Sequence, residues 1–233
     1  MSLRDYLFYE EPGITLYCGD ALEVLGHLQA QSVDAILCDP PYNAKKKYGQ
    51  HDDDMEPAEY QVWLQGLLAA CARVTVDPVV FFPGTKNVLS TLEILPPGLK
   101  AHRILGWHRK EFAGDKWNGG PAMSWEPIIW ASTREKPAFN RLFGTAGRDF
   151  LVVNSTHGDP FSVDHPCPKP LRVMKWLVGL FVPDGGIALD PTCGTGTTLE
   201  ACKESGRCAI GIESEPRYCD LAVKRLRQEV LAL

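Results

Sequence analysis

The stretch Val33-Asp34-Ala35-Ile36-Leu37-Cys38-Asp39-Pro40-Pro41-Tyr42-Asn43 restricts the fold of this chain more than any other. Residues 33–38 form an apolar run too short for a helix and rich in β-formers, so they read as a buried strand. Pro40 and Pro41 lack an N–H and fix φ, which stops the strand and sends the chain out in a stiff, extended turn. Asp39 and Tyr42 are thereby held at the strand's carboxyl end, where open α/β sheets bind their ligands.

These residue types suit methylation of an amino group on a planar ring. The lone pair of an aromatic amine is delocalised into its ring, so the nitrogen is a poor nucleophile until it is drawn toward tetrahedral geometry. The Asp39 carboxylate and a main-chain carbonyl such as that of Pro40 can each accept one N–H, turning the lone pair outward and stabilising positive charge as it develops. Tyr42 can stack on the ring. The plainer alternative is an ordinary strand exit, with the Asp capping a helix and the Tyr filling a gap.

Composition narrows the setting. A chain of 233 residues with 45% apolar content fills one α/β domain rather than two generous ones. The N-terminus has no apolar signal core, and no stretch approaches the roughly 20 apolar residues of a membrane span, so a cytoplasmic protein without a membrane partner is expected. Eight cysteines occur without a Cys-x-x-Cys pair or a histidine at finger spacing, which favours buried thiols over a metal site. A net charge of −5 argues against strong nonspecific nucleic-acid binding without excluding a DNA substrate. Basic residues cluster at Lys45-Lys46-Lys47 and at His108-Arg109-Lys110 with Lys116; taken alone, each reads as a solvated face.

In chain order, residues 14–18 read as a strand and Asp20 as the start of a short amphipathic helix, either an N-cap or a ligand contact. The polar loop 43–56 has the length and charge of a mobile flap. Residues 57–74 repeat apolar side chains at helical spacing, placing Tyr60 and Trp63 in the core. A strand at 78–84 and a helix at 88–95 follow. The strands 103–107 and 127–131 have no helix pattern between them and should form an antiparallel hairpin. Residues 132–168 are irregular, with a further short strand read at 150–153.

The second constraining stretch lies near the C-terminus. A helix at 170–182 leads through Asp184-Gly185-Gly186 into the strand 187–189, and then into Asp190-Pro191-Thr192-Cys193-Gly194-Thr195-Gly196-Thr197-Thr198, which opens another helix. Strand, glycine loop and helix N-terminus together let backbone N–H groups meet a carboxylate or phosphate. A dinucleotide fingerprint would need a third glycine where Leu199 stands, and a P-loop needs Gly-Lys-Ser/Thr, which is absent. A ligand with a carboxylate and no required pyrophosphate remains, as in S-adenosylmethionine. The next strand, 208–212, ends in Glu213, placed to accept both hydroxyls of a ribose. Pro216 starts the last helix.

Together with His165-Pro166-Cys167-Pro168-Lys169-Pro170 and Gly211-Ile212-Glu213, these motifs resemble, in this order, the DNA amino-methyltransferases of the beta permutation group, in which the catalytic motif precedes the cofactor loop. The resemblance spans nearly the whole chain. It implies a Rossmann-like class I methyltransferase fold, circularly permuted, with a seven-stranded, mostly parallel sheet and one antiparallel strand supplied by the hairpin. It also implies a single domain over residues 1–233 with a small target-recognition region around 108–126 and 132–164. By resemblance, Asp39, Pro40, Pro41 and Tyr42 form the catalytic site. Lys169, Pro170, Asp190, Thr192, Cys193, Gly194, Gly196, Thr197 and Thr198 border the methionine part of S-adenosyl-L-methionine, Glu213 takes its ribose, and Asp20 lies near its adenine. The partner is double-stranded DNA with the target base flipped out, in a bacterium or from a phage in a bacterial host.

An Asp at the head of the catalytic motif is more typical of N6-adenine enzymes in this family, and Ser of N4-cytosine enzymes. N4-cytosine methylation, or an RNA or protein-amide methyltransferase on the same fold, is the alternative. Ring-carbon methylation would need a cysteine nucleophile; Cys167 lies in the lysine-proline motif instead. Relatives usually carry a sizeable recognition insert, for which residues 132–164 leave little room. Base reading then falls to the 43–56 flap, the 108–126 loop and this segment, with Arg109, Lys110, Lys116, Arg134, Arg141 and Arg148 as candidates for phosphate or guanine contacts. A short target, or help from a second copy or a partner chain, is expected.

Overall fold

The computed structural model describes residues 2–45, 47–48, 51–109, 124–141, 147–153 and 168–228. In chain order its strands are β1 (Leu7–Glu11), β2 (Ile14–Cys18), β3 (Ala35–Cys38), β4 (Lys47–Tyr48), β5 (His51–Asp52), β6 (Val79–Phe81), β7 (Lys100–His108), β8 (Trp125–Ser132), β9 (Phe150–Val152), β10 (Ile187–Asp190) and β11 (Cys208–Glu213). The helices are α1 (Ala21–His27), α2 (Pro57–Val74), α3 (Val88–Glu93), α4 (Leu171–Phe181), α5 (Thr197–Glu204) and α6 (Pro216–Leu226).

Nine strands join one sheet in the order β1-β2-β11-β10-β3-β6-β8-β7-β9, and β4 pairs with β5 in a separate small hairpin. Within the large sheet, β8 runs against both β6 and β7, and β1 against β2; the remaining strands run one way. All seven strands read from the sequence are present, with β8 as the antiparallel one among them. The short strand read at 150–153 is β9, on the outer side of β7. The addition to the large sheet is β1, an edge strand of mixed exposure that carries Glu10 and Glu11. Charged residues on a half-exposed edge break the alternation by which strands are recognised, while guarding that edge against stray pairing. Gly13, at φ +82°, makes the tight turn from β1 into β2.

Helices cover both faces. Ala35 and Leu37 point toward the side packed by Val173, Leu177, Leu199 and Ala222, whereas Ile36 and Cys38 point toward Val24, Leu64 and Leu68 of α1 and α2. Strict alternation in β3, with every residue buried, is the mark of a strand sandwiched between two helical layers. Pro127 sits in an interior strand without penalty because β6 pairs β8 only at positions 129–131, so no ladder hydrogen bond is asked of its nitrogen on that side.

The chain winds from β10 through α5 to β11 on one side, and from β3 through α2 to β6 on the other. The carboxyl ends of adjacent strands β10 and β3 thus diverge into loops that leave a crevice between them. Phe81, fully buried in β6 beneath α2, reports on this core. Phe81→Ala is expected to cost about 3–5 kcal/mol of stability, read as a lowered midpoint in urea-induced unfolding.

Candidate active site

The crevice holds a cleft of ≈ 1170 Å³, counting its open mouth. β3 supplies Asp39, Pro40, Pro41 and Tyr42, and the loop after β10 supplies Asp190, Thr192, Cys193, Gly194, Thr197 and Thr198. Glu213 comes from the end of β11, Asp20 from the end of β2, and Lys169 from the approach to α4. Pro170 and Gly196, also singled out from the sequence, lie outside the lining and act on backbone shape, Pro170 at the N-cap of α4 and Gly196 at that of α5. Gly196 has φ +80°, and a Cβ there would come within 2.9 Å of the Ala222 Cβ.

The catalytic-motif side is tightly bonded. Tyr42 Oη donates to Asp39 Oδ1 at 2.6 Å, and Lys169 Nζ donates to Asp39 Oδ2 at 2.7 Å and to Tyr42 Oη at 3.0 Å. The same ammonium lies over the rings of Tyr42 and Phe82, at 5.2 and 4.8 Å from their centroids. The main chain of the turn is pinned as well: Tyr60 Oη donates to Pro41 O at 3.0 Å, and Asn87 Nδ2 to Tyr42 O at 2.9 Å. Among the described residues nothing donates to Pro40 O. The Tyr42 ring lies against Gly84, whose φ is +72° and whose Cβ, were there one, would sit 3.0 Å from the ring.

The loop that follows, read as a flap, is clasped at its base. Asn43 brackets Met55 by two hydrogen bonds, Nδ2 to Met55 O and Met55 N to Oδ1, and the buried Asp53 carboxylate accepts from the backbone N–H groups of Asn43 and Ala44.

The glycine-loop side is anionic. Thr192 N–H and the Thr198 hydroxyl both donate to Asp190, and Gly194 N–H donates to Glu213 Oε2 at 2.9 Å while Glu215 N–H donates to Oε1 at 2.8 Å. The carboxylate met by the loop amide of Gly194 is therefore the protein's own. Burial raises the Asp190 carboxyl to about 7, partly opposed by these hydrogen bonds. Burial also raises Glu213. Among the described residues neither acid has a cationic partner, in contrast to Asp39. Arg225, buried in α6, braces the loop from beneath through Nε to Thr195 O and an ion pair with Glu200.

Asp20 caps α1, one carboxylate oxygen accepting from Glu23 N–H at 3.0 Å, and the residue also lines the cleft. Trp63 and Tyr218 line the cleft too. Helical spacing had assigned Trp63 to the core, but it is only partly buried and stacks on Tyr60 with centroids 6.0 Å apart. Periodicity finds the inward stripe of a helix but not where its edge meets a cavity.

Of the basic candidates, Arg109 follows β7 at the cleft edge and is engaged with Glu126 and the Trp107 ring. Arg134 follows the end of β8 that pairs with Lys100, so it emerges at the opposite edge of the sheet. Arg141 follows Asn140, which is bonded to the C-terminal end of α4, again away from the cleft. Arg148 is exposed just before β9. Lys110, Lys116, Lys46, Cys167 and most of the recognition segments 108–126 and 132–164 lie outside the described residues. No described helix is long and apolar enough to cross a membrane.

A family model described as DNA methylase matches residues 33–224. Among curated proteins, the Type II methyltransferase M.HpaI of Haemophilus parainfluenzae is 27% identical over 92% of this chain and 74% of its own. M.ScaI of Streptomyces caespitosus, also a Type II methyltransferase, is 27% identical over 97% of this chain and 85% of its own. Among solved structures, M1.HpyAVI in its SAM complex superposes with a TM-score of 0.73 at 26% identity, over 92% of this chain and all of that one. The cytosine-N4-specific PvuII DNA methyltransferase superposes at 0.75 with 15% identity, over 94% and 88% of the two chains, a likeness of fold.

The raised carboxyls make a pH signature. With a folded value near 7 for Asp190 against about 3.9 in the unfolded chain, the native state holds the extra proton between those values. Stability contributed by this group is full below about pH 4, falls as pH rises, and levels off above about 7. Asp190→Asn, which keeps an acceptor for Thr198, is expected to flatten that decline by up to a few kcal/mol, measured as the wild-type-minus-variant difference in denaturant unfolding from pH 4.5 to 8.

Proposed function

The chain belongs to the DNA methylase family, and from that premise we propose that it methylates the exocyclic N6 amine of adenine at a specific site in DNA. It is a class I methyltransferase fold acting on DNA, with relatives that are Type II methyltransferases. The methyl donor is S-adenosyl-L-methionine, which supplies an electrophilic methyl group from a sulfonium. The observation that carries the reading is the division of one cleft into two halves. Asp39 and Tyr42 stand at the end of β3, and Asp190 and Glu213, which have no cationic partner among the described residues, stand at the ends of β10 and β11.

That second half fits the donor. Buried Asp190 and partly buried Glu213, which have no cation beside them among the described residues, favour a ligand that brings positive charge, and Glu213 at a strand end suits ribose hydroxyls. Thr192, Cys193, Gly194, Thr197 and Thr198 border the methionine part, with Gly196 and Pro170 shaping the loop and the helix start around it. Asp20 lies at the adenine end with Trp63 beside it.

In the first half, Asp39 and Pro40 O accept the two N–H bonds of the target amine, and the Tyr42 ring stacks on the base. The carbonyls of Pro41 and Tyr42 are taken by Tyr60 and Asn87, which leaves Pro40 O as the acceptor beside Asp39. Binding both N–H groups turns the nitrogen lone pair toward the donor and stabilises the charge that grows on the amine. A base stacked in a duplex cannot enter this crevice, so it is flipped out. The chain acts as one domain, and the scarcity of basic residues facing the cleft among the described residues favours a short recognition site or a site shared with a second copy or a partner chain. The Asp at position 39 selects adenine over cytosine in this reading.

Incubation with labelled S-adenosylmethionine and duplex DNA is expected to yield N6-methyladenine on nucleoside analysis; N4-methylcytosine, or label in RNA or protein instead, would overturn the assignment. Asp39→Ala is expected to lower turnover by about a thousandfold or more while donor affinity, measured by calorimetry, survives. Loss of donor binding would move Asp39 out of the catalytic role.

A further inference from the structure

Behind the pair of Lys169 and Asp39 stands a second carboxylate that the proposed chemistry leaves unused. Glu126, the second residue of β8, is 9% exposed. Its Oε1 pairs with Arg109. Its Oε2 lies 3.6 Å from Lys169 Nζ, within ion-pair reach, yet makes no hydrogen bond although it is shielded from solvent. A buried carboxylate oxygen without a donor is costly, and such an atom at a site of chemistry calls for an explanation.

The positions of the three groups supply one. In this structure both Asp39 oxygens are engaged, Oδ1 by Tyr42 and Oδ2 by Lys169. A target amine must claim part of that carboxylate, and an ammonium held against it opposes the positive charge that develops on the amine. Moving Lys169 Nζ by about 1 Å toward Glu126 would convert a 3.6 Å ion pair into a charge-assisted hydrogen bond near 2.8 Å. The lysine is 7% exposed and packed over the faces of Tyr42 and Phe82, which restricts its movement toward solvent.

We propose that Glu126 is a positioning residue for methyl transfer, the alternative seat to which the Lys169 ammonium shifts when the amine engages Asp39, with Arg109 holding the Glu126 carboxylate in place. Glu126 touches neither donor nor base; it acts through Lys169. This rests on the reading of Asp39 as acceptor for the amine.

The test is a double-mutant cycle on Glu126→Gln and Lys169→Met, with single-turnover rates measured at saturating donor and donor affinity measured separately by calorimetry. Glu126→Gln keeps shape and removes charge. It is expected to slow transfer about 10- to 100-fold while the donor Kd stays within about twofold. In the Lys169→Met background the same change is expected to have no further effect, because its only route to the chemistry is gone. An unchanged rate in Glu126→Gln, or a slowing that is just as large in both backgrounds, would overturn the inference and leave the role of Asp39 standing. A weakened donor Kd that accounts for the slowing would place Glu126 on the binding side and overturn it too. Failure of the wild-type protein to label any amine would instead sink the reading on which both rest.

Discussion

The pairing of β3 with β10 is the contact on which the site depends. Each strand is apolar on both faces and cannot be satisfied except between two helical layers, so their burial is set by the hydrophobic effect before any chemistry enters. Once they lie side by side and parallel, the residue after each strand is delivered to the same edge, Asp39 from one and the glycine loop from the other. The opposite winding of their crossovers then holds the two loops apart by the width of a ligand. Strand pairing does for the active site what no local motif can, since the two loops come from opposite ends of the chain.

Electrostatics divides this cleft into unlike halves. On the motif side Asp39 is paired with Lys169, Glu126 with Arg109 and at longer range with Lys169, and the carbonyls of Pro41 and Tyr42 are bonded by Tyr60 and Asn87. On the glycine-loop side, Asp190 and Glu213 are met, among the described residues, by hydrogen bonds and no cation, and burial lifts both carboxyls. Burial brings the Asp190 carboxyl to about 7, so that group is partly protonated near neutrality. The cleft is thus polarised along its length, with a paired acid, Asp39, at the end of β3 and two acids held by hydrogen bonds at the ends of β10 and β11.

What the sequence disclosed follows from which physical signals are local. Proline pairs, glycine at left-handed φ and unbroken apolar strands are local facts, so β3, β10, β11 and their terminal residues were legible, as was the antiparallel hairpin from the lack of a helix between 107 and 127. The edge strand β1 was not, because its exposed, acidic residues obey solvent rather than a core. Trp63 was misplaced for the related reason that helical spacing reports direction and not depth. Arg134 and Arg141 resembled DNA contacts only until the reversal at β8 carried them to the far edge. Glu126 gave no signal at all, since a lone acid in an apolar strand acquires meaning only when Lys169, far along the chain, arrives beside it.

The contact between Tyr42 and Gly84 carries a wider implication. The plane on which a base would rest is set from behind by bare backbone, at a position that lines no part of the cleft. A methyl group added there has nowhere to go but into the ring, and the ring nowhere to go but forward. Tolerance to change in this protein is accordingly measured along lines of steric support, so a silent-looking turn two steps removed from the reaction carries as strict a requirement as the residues that perform it.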